Sequence, residues 1–259
     1  MESGQGDLPR NTAARQALMD ALRPNAQYNL ARAQSLSTRI AGRVRRRMYD
    51  KFIAITGIRP EERLLDVGVT SDQTYDHSNY IESWYPYKDH ITAVGVDDAA
   101  FLEQLYPGMT FRRANGLDLP FADDSFDVVH SSAVLEHVGS AAQQRRFIAE
   151  LVRVSRRVAF LTTPNRWFPV EFHTQLPLLH WLPKRTFRRL LRRGRYEFFA
   201  REENLNLVGA GELRSLCGSV DSRRIAIRSQ RLLGLTSNLL LIVEKASPLS
   251  ARGETRSAH

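Results

Sequence analysis

Cysteine is the rarest residue type in this chain: Cys217 stands alone among 259 residues. A lone thiol excludes an intrachain disulfide and any cysteine-rich zinc site, and it fits a reducing compartment. Long apolar runs are missing as well. No stretch approaches the roughly 18 residues of a membrane span, and the N-terminus lacks the apolar core of a secretory signal. The expectation is a cytoplasmic protein. Lysine is scarce, since Lys51, Lys88, Lys184 and Lys245 are the only lysines among 37 basic residues. The apolar fraction, 42%, lies a little below the globular norm, and the length suits one substantial core with extensions.

The net charge of +9 is unevenly spread: residues 1–50 carry +5, 51–183 carry −5 and 184–259 carry +9. Basic flanks on an acidic middle suit nucleic acid or an anionic membrane surface. A general bias toward arginine accounts for the total without any partner.

Residues 1–36 are polar and without a sustained period, and read as a mobile segment with a short helix around Ala13–Leu22. From Ser37 to Ile55 the spacing of Ile40, Val44, Met48, Phe52 and Ile55 predicts a helix, with Arg43, Arg45, Arg46 and Arg47 on the other side. Gly57 and Pro60 stop it, so residues 37–58 form an N-terminal helix. Then comes RLLDVG, Arg63 to Gly68: a short apolar strand ending in Asp-x-Gly. Ligands bind at such strand ends in open α/β sheets, although an ordinary buried strand before a turn reads the same.

Further strands are expected at Ile91–Asp97, Met109–Asn115, Phe126–His130 and Val158–Pro164. Helices are expected from about residue 71 to Trp84, over Ala99–Tyr106, and over Ala133–Val154 with a break near Gly139. This alternation predicts a Rossmann-like, doubly wound parallel sheet. A helix at Gly211–Cys217 and two β-type runs, Arg224–Arg228 and Asn238–Glu244, follow; a loop around Gly234 lets the runs pair antiparallel. The domain is drawn over 37–246, with a cap at 164–205 and a disordered tail at 247–259.

The words LLDVG (Leu64–Gly68), AVGVD (Ala93–Asp97), DLPFADDSFDVVHSSAVLEHV (Asp118–Val138) and VAFLTTPN (Val158–Asn165) come in a familiar order and spacing. Over roughly Glu62 to Asn165 the chain resembles the class I S-adenosylmethionine-dependent methyltransferases, in particular the group that includes the ubiquinone and menaquinone C-methyltransferases. The resemblance implies a seven-stranded sheet whose last strand is reversed, and methyl transfer from S-adenosyl-L-methionine to a small-molecule or lipid-linked acceptor. It implies cofactor contacts at Asp66, Gly68, Thr70, Asp97, Asn115, Gly116 and Ser131. Asp97 would accept from both ribose hydroxyls, Asn115 and Gly116 would read adenine, and Asp66 would order the first loop and meet the ammonium. The family loop, usually Asp-x-Gly-x-Gly-x-Gly, here reads Asp66-Val67-Gly68-Val69-Thr70-Ser71-Asp72. Either the side chains from Val69 to Asp72 turn away from the ligand, or Thr70 and Ser71 bind its carboxylate through hydroxyls. A non-catalytic ligand-binding or partner protein on the same fold is the alternative this departure raises, and the flanking charge raises an RNA methyltransferase.

Some relatives, including small-RNA 2′-O-methyltransferases, bind a metal through Glu-x-x-Glu-His. Here Glu136 and His137 are present but Ala133 holds the first position, so no metal is expected. After strand five, Trp167, Phe172, His180 and Trp181 are candidate walls of the acceptor site, and His173, beside Glu171, is the candidate general base. KRTFRRLLRRGR, Lys184 to Arg195, sets Phe187, Leu190 and Leu191 on one face amid arginines. That is the pattern of weak contact with an anionic membrane surface, at the inner face of the membrane, or of a phosphate-binding patch; a solvated surface helix reads alike.

Overall fold

The computed structural model describes residues 36–72, 78–218, 220 and 222–245. The expected short helix around Ala13–Leu22, the N-terminal segment up to residue 35 and the tail 247–259 lie outside these residues. Seven strands build the sheet: β1 Leu64–Val67, β2 Ile91–Gly95, β3 Thr110–Arg113, β4 Phe126–Ser132, β5 Ser155–Pro164, β6 Arg224–Leu232 and β7 Leu235–Glu244. Their order is β3-β2-β1-β4-β5-β7-β6. The first five run parallel, and β7 pairs antiparallel with both β5 and β6, so the last strand alone is reversed. This is the doubly wound sheet the sequence predicts.

The central strands are covered on both faces, which is why they read as unbroken apolar runs rather than alternating ones. Successive side chains still point to opposite sides. Leu64 enters a layer with Phe52, Val128 and Phe160, whereas Leu65 enters the other layer with Val129, Phe147 and Leu151. The first layer is closed by helix α1, Leu36–Thr56, through Tyr49 and Phe52, with Ile53 and Ile55 packed against it. Gly57, at φ +52, ends α1 by donating its N–H to the Ile53 carbonyl at 2.9 Å.

Helices α2 Tyr80–Trp84 and α3 Phe101–Leu105 are shorter than their sequence patterns. The long helix expected over Ala133–Val154 divides at Gly139 into a 3-10 turn, Leu135–His137, and α4, Ala141–Val154. Ser140 starts α4 with a capping box: the Gln143 N–H donates to its hydroxyl and the Ser140 N–H donates to the Gln143 side chain at 2.8 Å. Strands β6 and β7 reach further than expected. They are joined by Leu233 and Gly234 alone, both at positive φ, a two-residue hairpin turn.

Between β5 and helix α6, Ala210–Leu216, runs the segment expected as a cap; it contains α5, Lys184–Leu191, and meets the turn after β4 through Asn204 and Asn206. Phe187, Leu191, Phe199, Leu205 and Leu207 form its own small core. The chain leaves β1 for β2 and β3 and returns to β4 on the other side of β1. That reversal opens a crevice at the carboxyl ends of β1 and β4, the place where open α/β sheets bind ligands.

Candidate active site

The first loop leaves β1 at Gly68, whose φ is +107 and whose N–H donates to the Val94 carbonyl at 2.7 Å. A Cβ there would stand 2.0 Å from Val134 Cγ2, so the retained glycine is explained by packing before any ligand is considered. Val69 turns inward to the apolar layer of Tyr80 and Ile81. Of the two arrangements open to this loop, the inward one holds for Val69. Asn79 clamps Thr70 by accepting from its N–H and donating to its carbonyl, both at 2.9 Å. The Thr70 hydroxyl accepts from the Asp72 N–H at 3.1 Å and keeps its own proton to donate.

Asp97 lies two residues beyond the end of β2, half-buried at the carboxyl edge. Asn115 follows β3, and its side-chain oxygen accepts from the Leu117 N–H at 3.0 Å, which leaves a second lone pair. Gly116 is packed so closely under α4 that an added Cβ would meet Phe147 Cε2 at 2.5 Å. Ser131 is fully buried and donates its hydroxyl to the Val67 carbonyl at 2.7 Å, tying β4 to β1. An acceptor carboxylate, an amide oxygen and a hydroxyl donor thus stand along one edge. They match, in that order, the ribose hydroxyls, adenine amine and carboxylate of S-adenosylmethionine, so the residue chemistry fits the cofactor.

Asp66 faces inward. Its Oδ1 accepts from His130 Nδ1 at 2.7 Å, and His130 Nε2 accepts from the Tyr80 hydroxyl at 2.9 Å. Glu82 is fully buried against this chain, and among the described residues neither of its oxygens has a well-formed hydrogen bond. Burial raises the Asp66 carboxyl to about 7 and raises Glu82 well above the usual range, where the Asp66 charge pushes it further. Burial lowers His130 to about 3. Sequence reading missed Tyr80, Glu82 and His130. The one signal was a histidine inside the apolar run FDVVHSS.

At the cap, His173 does adjoin Glu171: its Nδ1 lies 2.7 Å from Glu171 Oε1. Its Nε2 meets His137 Nε2 at 3.1 Å. Burial opposes the charged form of His173, but Glu171 outweighs it and raises the imidazole. Burial also works against the Glu171 carboxylate, yet His173 and the N–H of Thr174 bring it down to about 2. Burial and then the charge of His173 lower His137 to about 3. His180 is almost fully buried, with Nε2 2.8 Å from the Phe168 carbonyl. Trp167, Phe172 and Trp181 are exposed by 54%, 38% and 42%, so three of the four expected wall residues stand on the surface of the cap.

Residues 41–162 match the family described as a methyltransferase domain. This stretch is a class I, S-adenosylmethionine-dependent methyltransferase domain. Among curated proteins, an uncharacterized methyltransferase of Mycolicibacterium vanbaalenii is 57% identical over 47 residues, 18% of this chain and only 17% of that protein. Among solved structures, the methyltransferase domain is similar to the 1,6-didemethyltoxoflavin-N1-methyltransferase of Burkholderia thailandensis, solved with its substrate and S-adenosylhomocysteine. That pair has a TM-score of 0.53 at 13% identity, over 79% of each chain. The magnesium protoporphyrin IX methyltransferase of Synechocystis PCC 6803, solved with S-adenosylmethionine, gives 0.51 at 13% identity over 89% of this chain and 96% of that one. The cyclase SpnF gives 0.51 at 14% identity, over 77% and 80%. At such identities the likeness shows the fold alone, and the cyclase shows that one fold serves more than one reaction.

Proposed function

We propose that this protein transfers a methyl group from S-adenosylmethionine to a small-molecule or lipid-linked acceptor held beneath the cap. The observation that carries the reading is the alignment of Thr70, Asp97 and Asn115 along the carboxyl edge of a methyltransferase domain. When bound, the cofactor supplies an electrophilic methyl on a sulfonium. The protein's share is then to hold an acceptor atom in line, which needs positioning more than acid or base. Two of the named neighbours act on flat heterocycles, a toxoflavin precursor and a porphyrin. Calorimetry with S-adenosylmethionine and S-adenosylhomocysteine tests the reading. Asp97→Ala should weaken both by at least tenfold, as loss of charge-assisted hydrogen bonds of roughly 1.5–3 kcal/mol requires, with little change in melting temperature. Absence of binding by the wild type would favour a non-catalytic role on this fold, and unchanged affinity in the variant would remove Asp97 from the ribose.

We also propose weak, electrostatic contact with an anionic membrane surface through Lys184 to Arg195. The fold corrects one part of the expectation. Phe187 and Leu191 are buried in the cap core and only Leu190, 53% exposed, remains outside, so the apolar face is not available for insertion. Arg188 pairs with Glu202 and Lys184 with Glu212, while Arg185, Arg189 and Arg192 line one surface concavity with Arg188. Among the described residues, no helix is long and apolar enough to cross a membrane. Sedimentation with anionic vesicles at low salt should show binding that neutral vesicles lack. The triple change of Arg185, Arg189 and Arg192 to Gln should abolish it. Failure of the wild type to sediment sinks the idea, and tight RNA binding in its place would promote the nucleic-acid reading.

A further inference from the structure

Three side chains with metal-ligating atoms meet where the turn after β4 touches the cap. Glu136 and His137 come from that turn and His173 from the cap, and one ligand atom from each lies within 4.8 Å of the others. Their orientation is set from behind. His137 Nδ1 faces the Asn204 carbonyl at 2.7 Å, a partner that only an N–H satisfies, so Nδ1 carries the proton. His173 Nδ1 faces the Glu171 carboxylate at 2.7 Å and is fixed in the same way. Each neutral ring then presents a lone pair at Nε2, and the two Nε2 atoms are 3.1 Å apart. Lone pairs at that distance repel unless a proton or a cation joins them. Glu136 Oε1, fully buried and without a hydrogen-bond partner among the described residues, lies 3.9 Å from His137 Nε2. Thr163 holds the other Glu136 oxygen at 2.9 Å, which aims the carboxylate. A shared proton would satisfy the two imidazoles and leave Glu136 Oε1 orphaned; a metal ion satisfies all three ligands at once.

We propose that Glu136, His137 and His173 bind a first-row divalent transition cation such as zinc or cobalt(II). Bonds of about 2.0–2.2 Å to one centre place tetrahedral ligand atoms roughly 3.3 Å apart, and the observed spacings need only small side-chain adjustments to reach that. Two imidazoles select zinc and its neighbours over magnesium or calcium, which take oxygen ligands. Glu171 and the Asn204 carbonyl are the outer partners that hold ligating histidines in one tautomer. Three protein ligands leave a position of a four-coordinate ion for water or for an acceptor oxygen. The His137 and His173 side chains keep 16% and 13% exposure, so that position is not sealed. The expectation of no metal rested on the missing ligand at Ala133; in this proposal His173, brought beside Glu136 and His137 by the fold, takes that ligand's place. The site stands independently of methyl transfer.

The test uses the full chain without a histidine tag, stripped with EDTA and dialysed. Zinc should bind at one equivalent by calorimetry and raise the melting temperature. Cobalt(II) should give the intense visible bands of a low-coordinate ion rather than the weak ones of the hydrated ion. Glu136→Gln and His173→Gln should each weaken zinc binding at least tenfold, and His90→Gln, at the far end of the sheet, should leave it unchanged. The cobalt spectrum of the wild type decides the matter even if a variant fails to fold. No saturable binding by the wild type overturns the proposal in favour of a shared proton. Equal binding by both ligand variants overturns it in favour of an ion elsewhere.

Discussion

Gly68→Ala should lower the melting temperature by about 5–15 °C, corresponding to roughly 2–5 kcal/mol. Two separate costs meet at this residue. Its φ of +107 strains any L side chain, and its Cβ would overlap Val134 Cγ2 at 2.0 Å. The backbone cannot easily turn away, because the Gly68 N–H is held by the Val94 carbonyl. Paired variants separate the costs. In Gly68→Ala/Val134→Ala the overlapping methyl is gone, so the double variant should be more stable than Gly68→Ala by at least about 0.5 kcal/mol despite the lost valine. Gly57→Ala, where φ is +52 and nothing lies within 4 Å of the added Cβ, reports backbone strain alone. Thermal denaturation of the set measures all of this. A Gly68→Ala protein that melts with the wild type would show that the loop relaxes freely.

That experiment also bears on what the sequence could reveal about the first loop. One glycine surviving from a glycine-rich family loop reads as a remnant of ligand contact, yet Val134, from the turn after β4, is enough to require it. The strand-end position of Asp97 was legible because it depends on local order, an apolar run and then the first polar residue beyond it, whereas Asn115, after the arginines of TFRRAN, was singled out by the family resemblance. Partnerships across the sheet were not. Asp66 and His130 are neighbours only because β1 lies beside β4, and nothing in the helix-like text YIESW marks Glu82 as buried. The cap shows the same limit twice. Phe187 and Leu191 form an apolar stripe whether the stripe faces lipid or Phe199, and only the fold distinguishes the two. His173 was recognised beside Glu171, its neighbour in sequence, but not beside His137, its neighbour in space.

Glu82→Gln should make the protein markedly less sensitive to alkaline pH. In the wild type, Glu82 and Asp66 are buried together, with His130 and Tyr80 on one side and, among the described residues, the backbone-bound Lys88 and Arg45 as the cations that act on this cluster. Both carboxyls have raised pKa values in the folded state, so between about pH 4 and their folded values the native protein holds protons that the unfolded chain has released. Stability therefore falls as pH rises through that window, by about 1.4 kcal/mol per pH unit for each proton. His130, lowered to about 3, acts in the opposite direction. Below about pH 6.5 the unfolded chain binds a proton that the buried imidazole refuses, so its term rises with pH and offsets one carboxyl. Above about pH 6.5 the offset ends and the carboxyl loss is uncovered. The amide introduced by Glu82→Gln cannot ionise, and it can donate to Asp66 in place of the Glu82 carboxyl, whose hydrogen bond lowers the Asp66 pKa. Urea denaturation at about pH 6.5 and about pH 8.5 should then show the wild type losing stability, at up to about 1.4 kcal/mol per pH unit for each retained proton, and the variant losing less than half as much. Groups that titrate elsewhere in this range are common to both proteins and cancel in the comparison. Equal losses in the two proteins would place the alkaline sensitivity outside the Asp66–Glu82 pair.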